Sequence, residues 1–173
     1  MLLGLEPDLV IRALGGHTPI PGRAERFRYQ DKPALLNLVK NPVSFNEGLN
    51  ILPALPGPVD ILIAINDNSA DGRDVSWLWD VDFEVLNKHR RHINLLVCTG
   101  LRRVETAVRL KYAGLPVDKI TVREMPEAVK DILCGDGAAA YLLTNYTALW
   151  PLERIMNKYA QRENVVKGMS PVS

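Results

Sequence analysis

The residues best suited to chemistry fall in one run, 66–82, which packs Asp67, Asp71, Asp74, Asp80 and Asp82 around Gly72, Arg73, Trp77 and Trp79. A carboxylate held beyond a strand end can orient a histidine and stabilise its cation, or help to bind a magnesium nucleotide. Gly72 frees the backbone between two carboxylates, and Arg73 is placed to hold one of them and leave the other available. A plainer account has the loop aspartates closing turns, with Asp74 as the N-cap of a helix that opens near Val75. Trp77 and Trp79 suit positioning or interface contacts, and equally suit packing beside a helix start. The run follows the apolar residues 59–65, which read as a buried strand, and open α/β sheets bind their ligands beyond the carboxyl ends of such strands.

The elements that must position this loop are legible from periodicity and punctuation. Residues 5–14 carry Leu5, Leu9, Val10 and Leu14 at helical spacing and stop at Gly15-Gly16; a Pro-rich connector, 17–22, follows. Two strands are expected at 24–29 and 34–39. After the turn Lys40-Asn41-Pro42, Ser44 and Glu47 form a capping box that opens a helix with Phe45, Leu49 and Leu52 on one face, ended by Pro53 and Pro56. Beyond the central loop, a helix within 75–87 is expected to turn Trp79, Phe83 and Leu86 inward. A strand at 93–99 then leads to a helix at 101–113 with Leu101, Val104 and Val108 inward and Glu105 and Arg109 paired outward. A strand at 120–123, a helix from Pro126 through Leu133, a strand at 138–143 and a final helix bearing Leu149, Leu152, Met156 and Tyr159 complete the alternation, with Pro151 tolerated in the first turn. This order predicts an α/β fold: a Rossmann-like, doubly wound, mostly parallel sheet with helices on both faces. The expected organisation is one domain over 22–166, preceded by a helix and linker at 1–21 and followed by a tail at 167–173.

Composition removes several function classes. With 21 basic against 20 acidic residues and a net charge of +1, nothing argues for nucleic acid. There is no Gly-rich Lys-Ser/Thr loop for a triphosphate and no Gly-x-Gly-x-x-Gly after the first strand. Cys98 and Cys134 are too few for a disulfide framework and are expected to be buried thiols in a reducing, cytoplasmic compartment. No positive leader or long apolar segment predicts a signal peptide or a membrane span. His17, His89 and His92 lie in the linker and in the basic turn 88–92, without the spacing of a metal pair, so they are expected at the solvated surface and no metal site is assigned.

Four stretches carry a resemblance: Leu-Val-Lys-Asn-Pro at 38–42, the run 66–80, Leu-Lys-Tyr-Ala-Gly at 110–114 and Asn-Tyr-Thr at 145–147. Together they resemble the C-terminal domain of the Mur-ligase-like (MurT) subunit family of lipid II isoglutaminyl synthase. The resemblance implies a Mur ligase C-terminal fold and ATP-dependent amidation of the stem-peptide D-glutamate to D-isoglutamine. It also implies a heterodimer with a glutaminase subunit of the GatD type, whose Cys-His pair lacks an acidic third member that Asp74 would supply as catalytic residue. ATP and Mg2+ would serve the whole complex, with Lys40, Asn41, Asn66, Asp67, Asn68 and Asp71 as loop or half-site contacts and Arg73 and Trp77 as positioning or interface residues. The family's central ligase domain, with its phosphate loop and four-cysteine zinc ribbon, is not in this sequence, so the chain is expected to make no acyl phosphate alone. Two other readings stand beside this one: a non-catalytic Rossmann-like module that binds a nucleotide or a protein, and a hydrolase using the carboxylates with a metal.

Overall fold

A computed structural model describes residues 24–163. The readings on 1–21 and 167–173, including His17, lie outside the described residues. The sheet has 7 strands: β1 (Glu25–Tyr29), β2 (Lys32–Leu38), β3 (Val59–Ala64), β4 (Ile93–Thr99), β5 (Ile120–Val122), β6 (Ala139–Thr144) and β7 (Gln161–Arg162). Their spatial order is β5-β4-β3-β6-β2-β1-β7. The block from β5 to β2 is parallel, whereas β1 and β7 run antiparallel at one edge. Arg162 fastens that edge, pairing with Glu25 at 2.7 Å and Glu153 at 2.8 Å.

Central strands covered on both faces must be apolar on both, and β3 shows it. Ile61 and Ile63 enter the core beneath α1 (Pro42–Leu49), α2 (Glu84–Lys88) and α3 (Arg103–Tyr112), together with Phe45, Leu49, Phe83 and Leu110. Leu62 and Ala64 enter the opposite core beneath α4 (Met125–Cys134) and α5 (Tyr146–Tyr159), with Val129, Ile132, Leu149, Leu152 and Met156. The doubly wound, mostly parallel α/β prediction is the fold observed. A charged pair pins the other end of the sheet: Lys32 Nζ donates to the fully buried Asp60 at 2.5 Å and to the carbonyls of Ile132 and Gly135, while Asn94 Nδ2 donates to the second Asp60 oxygen at 2.7 Å.

Several local expectations are corrected. The first described helix is capped by Asn41, not Ser44: Asn41 Oδ1 accepts from Ser44 N, Ser44 Oγ accepts from Asn41 N, and Pro42 occupies the first turn, where its missing N–H costs nothing. Leu52 belongs to a separate 3-10 turn, Leu52–Ala54. The single helix expected within 75–87 is a 3-10 turn, Ser76–Asp80, followed by α2; this change of period leaves Trp79 56% exposed, while Phe83 and Leu86 are buried as expected. The face of α3 expected inward is not the buried one: Val104 and Val108, with Leu101 just before the helix, are exposed, whereas Thr106, Arg109 and Leu110 are buried; Glu105 is exposed as expected. Glu105 pairs with Arg102, not Arg109. Pro151 lies past the first turn of α5, and Tyr159 is 42% exposed. Cys98 is buried, but Cys134 is exposed and lies 3.6 Å from the Tyr29 hydroxyl. His92 is half-buried rather than solvated: its ring fills the space beside Gly57, where a Cβ would meet it at 1.9 Å, and its Nε2 is 3.2 Å from the Leu55 carbonyl.

Candidate functional site

Strands β3 and β6 are neighbours, yet the chain leaving β3 goes to the face of α2 and α3 and the chain leaving β6 goes to the face of α5. Such a divergence opens a crevice at the carboxyl end of a parallel sheet, where ligands bind in doubly wound folds. The loop 66–74 lies over this point, and its polar residues divide into those that bind it down and those that remain outward.

Asn66 and Asn145 join the carboxyl ends of β3 and β6. Asn66 N donates to Asn145 Oδ1 at 3.0 Å, and Asn145 Nδ2 donates to the Asn66 carbonyl at 2.7 Å. Asn66 Oδ1 accepts from Leu101 N at 2.9 Å, which ties in the loop after β4. That loop turns at Gly100 with φ +90, where an added Cβ would stand 2.5 Å from the Ile65 carbonyl, so only glycine fits. Asp67 accepts from Arg102 Nη2 at 2.5 Å; Arg102 also holds Glu105, whose carboxyl is kept below its ordinary range by that guanidinium.

Asp71 has a capping role that its sequence position conceals. Asn145, at the N-cap of α5, spends its side chain on Asn66, and Asp71 caps the helix instead. Its Oδ1 accepts from Thr147 N at 2.9 Å and its Oδ2 accepts from Thr147 Oγ1. Asn68 Nδ2 reaches the same hydroxyl at 2.8 Å. A carboxylate here satisfies an orphan N–H and complements the positive end of the helix. The signal for this cap lay 76 residues away in sequence, so no local pattern could have revealed it.

Asp74 differs from both. It is exposed, and its side-chain bonds among the described residues are local: Oδ1 accepts from Ser76 N at 2.8 Å and Oδ2 from Ser76 Oγ at 2.9 Å. It therefore closes a local turn that leads into the 3-10 turn Ser76–Asp80, whose N-cap is Val75 without a side-chain cap, so the N-cap role expected of Asp74 is not the one it has. The backbone bond first, and the hydroxyl bond second, hold its carboxyl below the ordinary value, so it is ionised at neutral pH. Each oxygen keeps acceptor capacity for a further donor.

Arg73 is exposed and makes no ion pair among the described residues, so it does not hold a carboxylate. Trp77 is half-buried with its ring 6.3 Å from Phe45, a packing role, whereas Trp79 stands outward against Tyr112 at 5.7 Å with the Arg109 guanidinium 5.6 Å from its ring. Lys40 and Asn41 follow β2 at the same end of the sheet; Asn41 is spent as a cap, and the exposed Lys40 ammonium has no partner among the described residues. No group of three or more His, Cys, Asp or Glu among the described residues is placed to hold a metal ion. Among them, too, no helix is long and apolar enough to cross a membrane.

Comparison with known proteins gives the same family from sequence and the same fold from structure. The MurT subunit of lipid II isoglutaminyl synthase (glutamine-hydrolyzing) from Staphylococcus aureus strain COL is 35% identical over 156 residues, covering 90% of this chain and 35% of that protein. The corresponding subunit from Streptococcus pneumoniae is 33% identical over 169 residues, covering 97% of this chain and 37% of that protein. The chain thus spans about a third of the length of these relatives. Among solved structures, folylpolyglutamate synthase of Mycobacterium tuberculosis superposes with a TM-score of 0.57 at 14% identity, over 88% of this chain and 35% of that one. The UDP-N-acetylmuramate-alanine ligase MurC of Thermotoga maritima gives 0.56 at 12% identity, over 91% and 34%; at such identity these matches speak for the fold alone. The MurT ligase C-terminal family matches residues 38–149, the span that contains both the crevice and the Asp74 turn, and this chain belongs to that family.

Proposed function

We propose that this chain is the C-terminal part of an amidotransferase subunit that amidates the D-glutamate of the lipid II stem peptide to D-isoglutamine, in the cytoplasm, with ammonia from a partner glutaminase of the GatD type. Its own contribution is to dock that glutaminase and lend it Asp74. The observation that carries this reading is the division of labour within the loop. Asp67 and Asp71 are consumed by Arg102 and by the α5 N-terminus, while Asp74 is outward, ionised and oriented by Ser76.

In that role Asp74 accepts the Nδ1–H of the partner's histidine, which fixes the tautomer with Nε2 unprotonated. Nε2 then takes the thiol proton of the partner's cysteine, and Asp74 stabilises the resulting imidazolium while the thiolate attacks the glutamine carboxamide carbon. Arg73 and Trp79, both exposed beside Asp74 in the chain, supply the contacts first expected of Arg73 and Trp77.

The amidation itself would draw on ATP and Mg2+. The fit of this chain to a nucleotide is narrow: Asn41, Asn66, Asp67, Asn68 and Asp71 are engaged within the fold, and Lys40 is the side chain free to meet a phosphate. No chemical step is assigned to that contact.

The test is glutamine hydrolysis by the GatD-type glutaminase alone, with this chain, and with Asp74→Asn. Asparagine keeps the shape and the oxygen that closes the turn but removes the charge. Wild type is expected to stimulate, and Asp74→Asn to bind equally while losing on the order of 10²- to 10⁴-fold of the stimulated rate. Equal stimulation by both proteins would leave Asp74 only its turn-closing role.

A further inference from the structure

At the opposite end of the sheet from Asp74, a cavity of about 290 Å³ opens between the start of β4 and the segment that enters β5. Its floor is apolar, built from Ile93, Leu96, Leu115 and Ile120, of which the first three are buried in the core. Its rim is cationic, because Arg90, Arg91 and Lys119 also line it. All three are exposed, and none makes an ion pair among the described residues; Lys119 Nζ reaches only the Asn94 carbonyl, at 3.5 Å. Arg90 and Arg91 form the 3-10 turn Arg90–His92, so the basic run 88–92 is not simply a solvated turn. His92 fixes that turn from behind by packing against Gly57.

Unpaired like charges gathered over apolar surface repel one another and lack the counter-ions found elsewhere on this chain, where Arg102, Arg103, Arg123 and Arg162 each meet a carboxylate. Two arginines and a lysine lining one opening suit a phosphate, which takes bidentate Arg contacts and offsets part of their charge. The apolar floor matches a short hydrocarbon body, and the volume sits at the lower limit of small-molecule sites.

We infer that the cavity between β4 and β5 is a binding site for a phosphate-bearing amphiphile, with the phosphate on Arg90, Arg91 and Lys119 and the apolar body on Ile93, Leu96, Leu115 and Ile120. A soluble alkyl phosphate and the head region of an anionic lipid share this chemistry. The site does not depend on the glutaminase or on Asp74.

The test titrates the whole 173-residue chain with hexyl phosphate, inorganic phosphate and hexanol, reading heat and amide shifts, and separately sediments it with phosphatidylglycerol vesicles. Hexyl phosphate is expected to saturate one site, to shift Leu96 and Ile120, and to bind about tenfold or more tightly than either fragment probe, since head and tail contribute together. The double variant Arg90→Gln/Arg91→Gln, and independently Lys119→Gln, should weaken it by about tenfold with unfolding unchanged. Hexyl phosphate binding without vesicle binding assigns a soluble ligand; binding of both assigns a membrane lipid. The inference is overturned if hexyl phosphate does not bind, if inorganic phosphate or hexanol binds as tightly, or if the folded variants bind like wild type.

Discussion

The aspartates of one loop show how identical side chains acquire different duties. Asp71 caps a helix that begins far away in sequence, Asp67 answers Arg102, and Asp74 holds only its own turn. These duties separate in unfolding experiments. Asp71→Ala is expected to cost about 0.5–2 kcal/mol and lower the melting temperature by several degrees, because it strands the first-turn donors of α5. Asp67→Ala removes a partly exposed pair and should cost at most about 1 kcal/mol. Asp74→Asn should melt like wild type, so that any loss of glutaminase stimulation in that variant reads on charge alone.

At the scale of elements, α3 carries the main reversal. Its sequence offers Leu101, Val104 and Val108 as an apolar stripe, yet the structure buries Arg109 in their place. The guanidinium donates to the Val81 carbonyl at 2.7 Å and to both Glu84 oxygens, and lies 5.4 Å from the Phe83 ring. An arginine so placed contributes packing surface as well as hydrogen bonds. Accordingly, Val104→Ser and Val108→Ser should each change stability by no more than about 0.5 kcal/mol, whereas Arg109→Ala should cost about 2–3 kcal/mol in denaturant unfolding. The opposite order would restore the face that periodicity favours. Periodicity names a stripe but not its partner, and here the sheet face was already filled by Thr106, Leu110 and the α2 residues.

For the whole molecule, the sheet is held by apolar layers on both faces and by polar fastenings at either end. Tyr141, in β6, shows how the core couples to pH: its hydroxyl donates to the Gly48 carbonyl at 2.9 Å, and burial pushes the phenol from 10.0 up to about 12. A folded pKa above the unfolded one means the contribution is complete below pH 10 and is lost as pH rises toward 12. Stability should therefore fall across that window by no more than about 1.4 kcal/mol per pH unit from this group, and Tyr141→Phe should flatten the fall in alkaline denaturation curves.

The alternation of strands and helices, the doubly wound class, most of the apolar core and the family are legible in the chain alone, because local periodicity, turn residues and an unusual motif are properties of adjacent positions. The loop that lies over the crevice is legible there too. Chain closure settles which of Asp67, Asp71 and Asp74 has no long-range partner, which face of α3 is inward, why Trp79 rather than Trp77 is outward, and that the basic turn rims an apolar cavity. The first three depend on contacts between residues distant in the chain, Asp71 with Thr147, Arg109 with Val81 and Glu84, and Trp77 with Phe45, and the fourth on one cavity bringing Arg90 and Lys119 to its lining. A side chain's duty is set by which partner reaches it when the chain closes, and sequence separation carries no record of that distance.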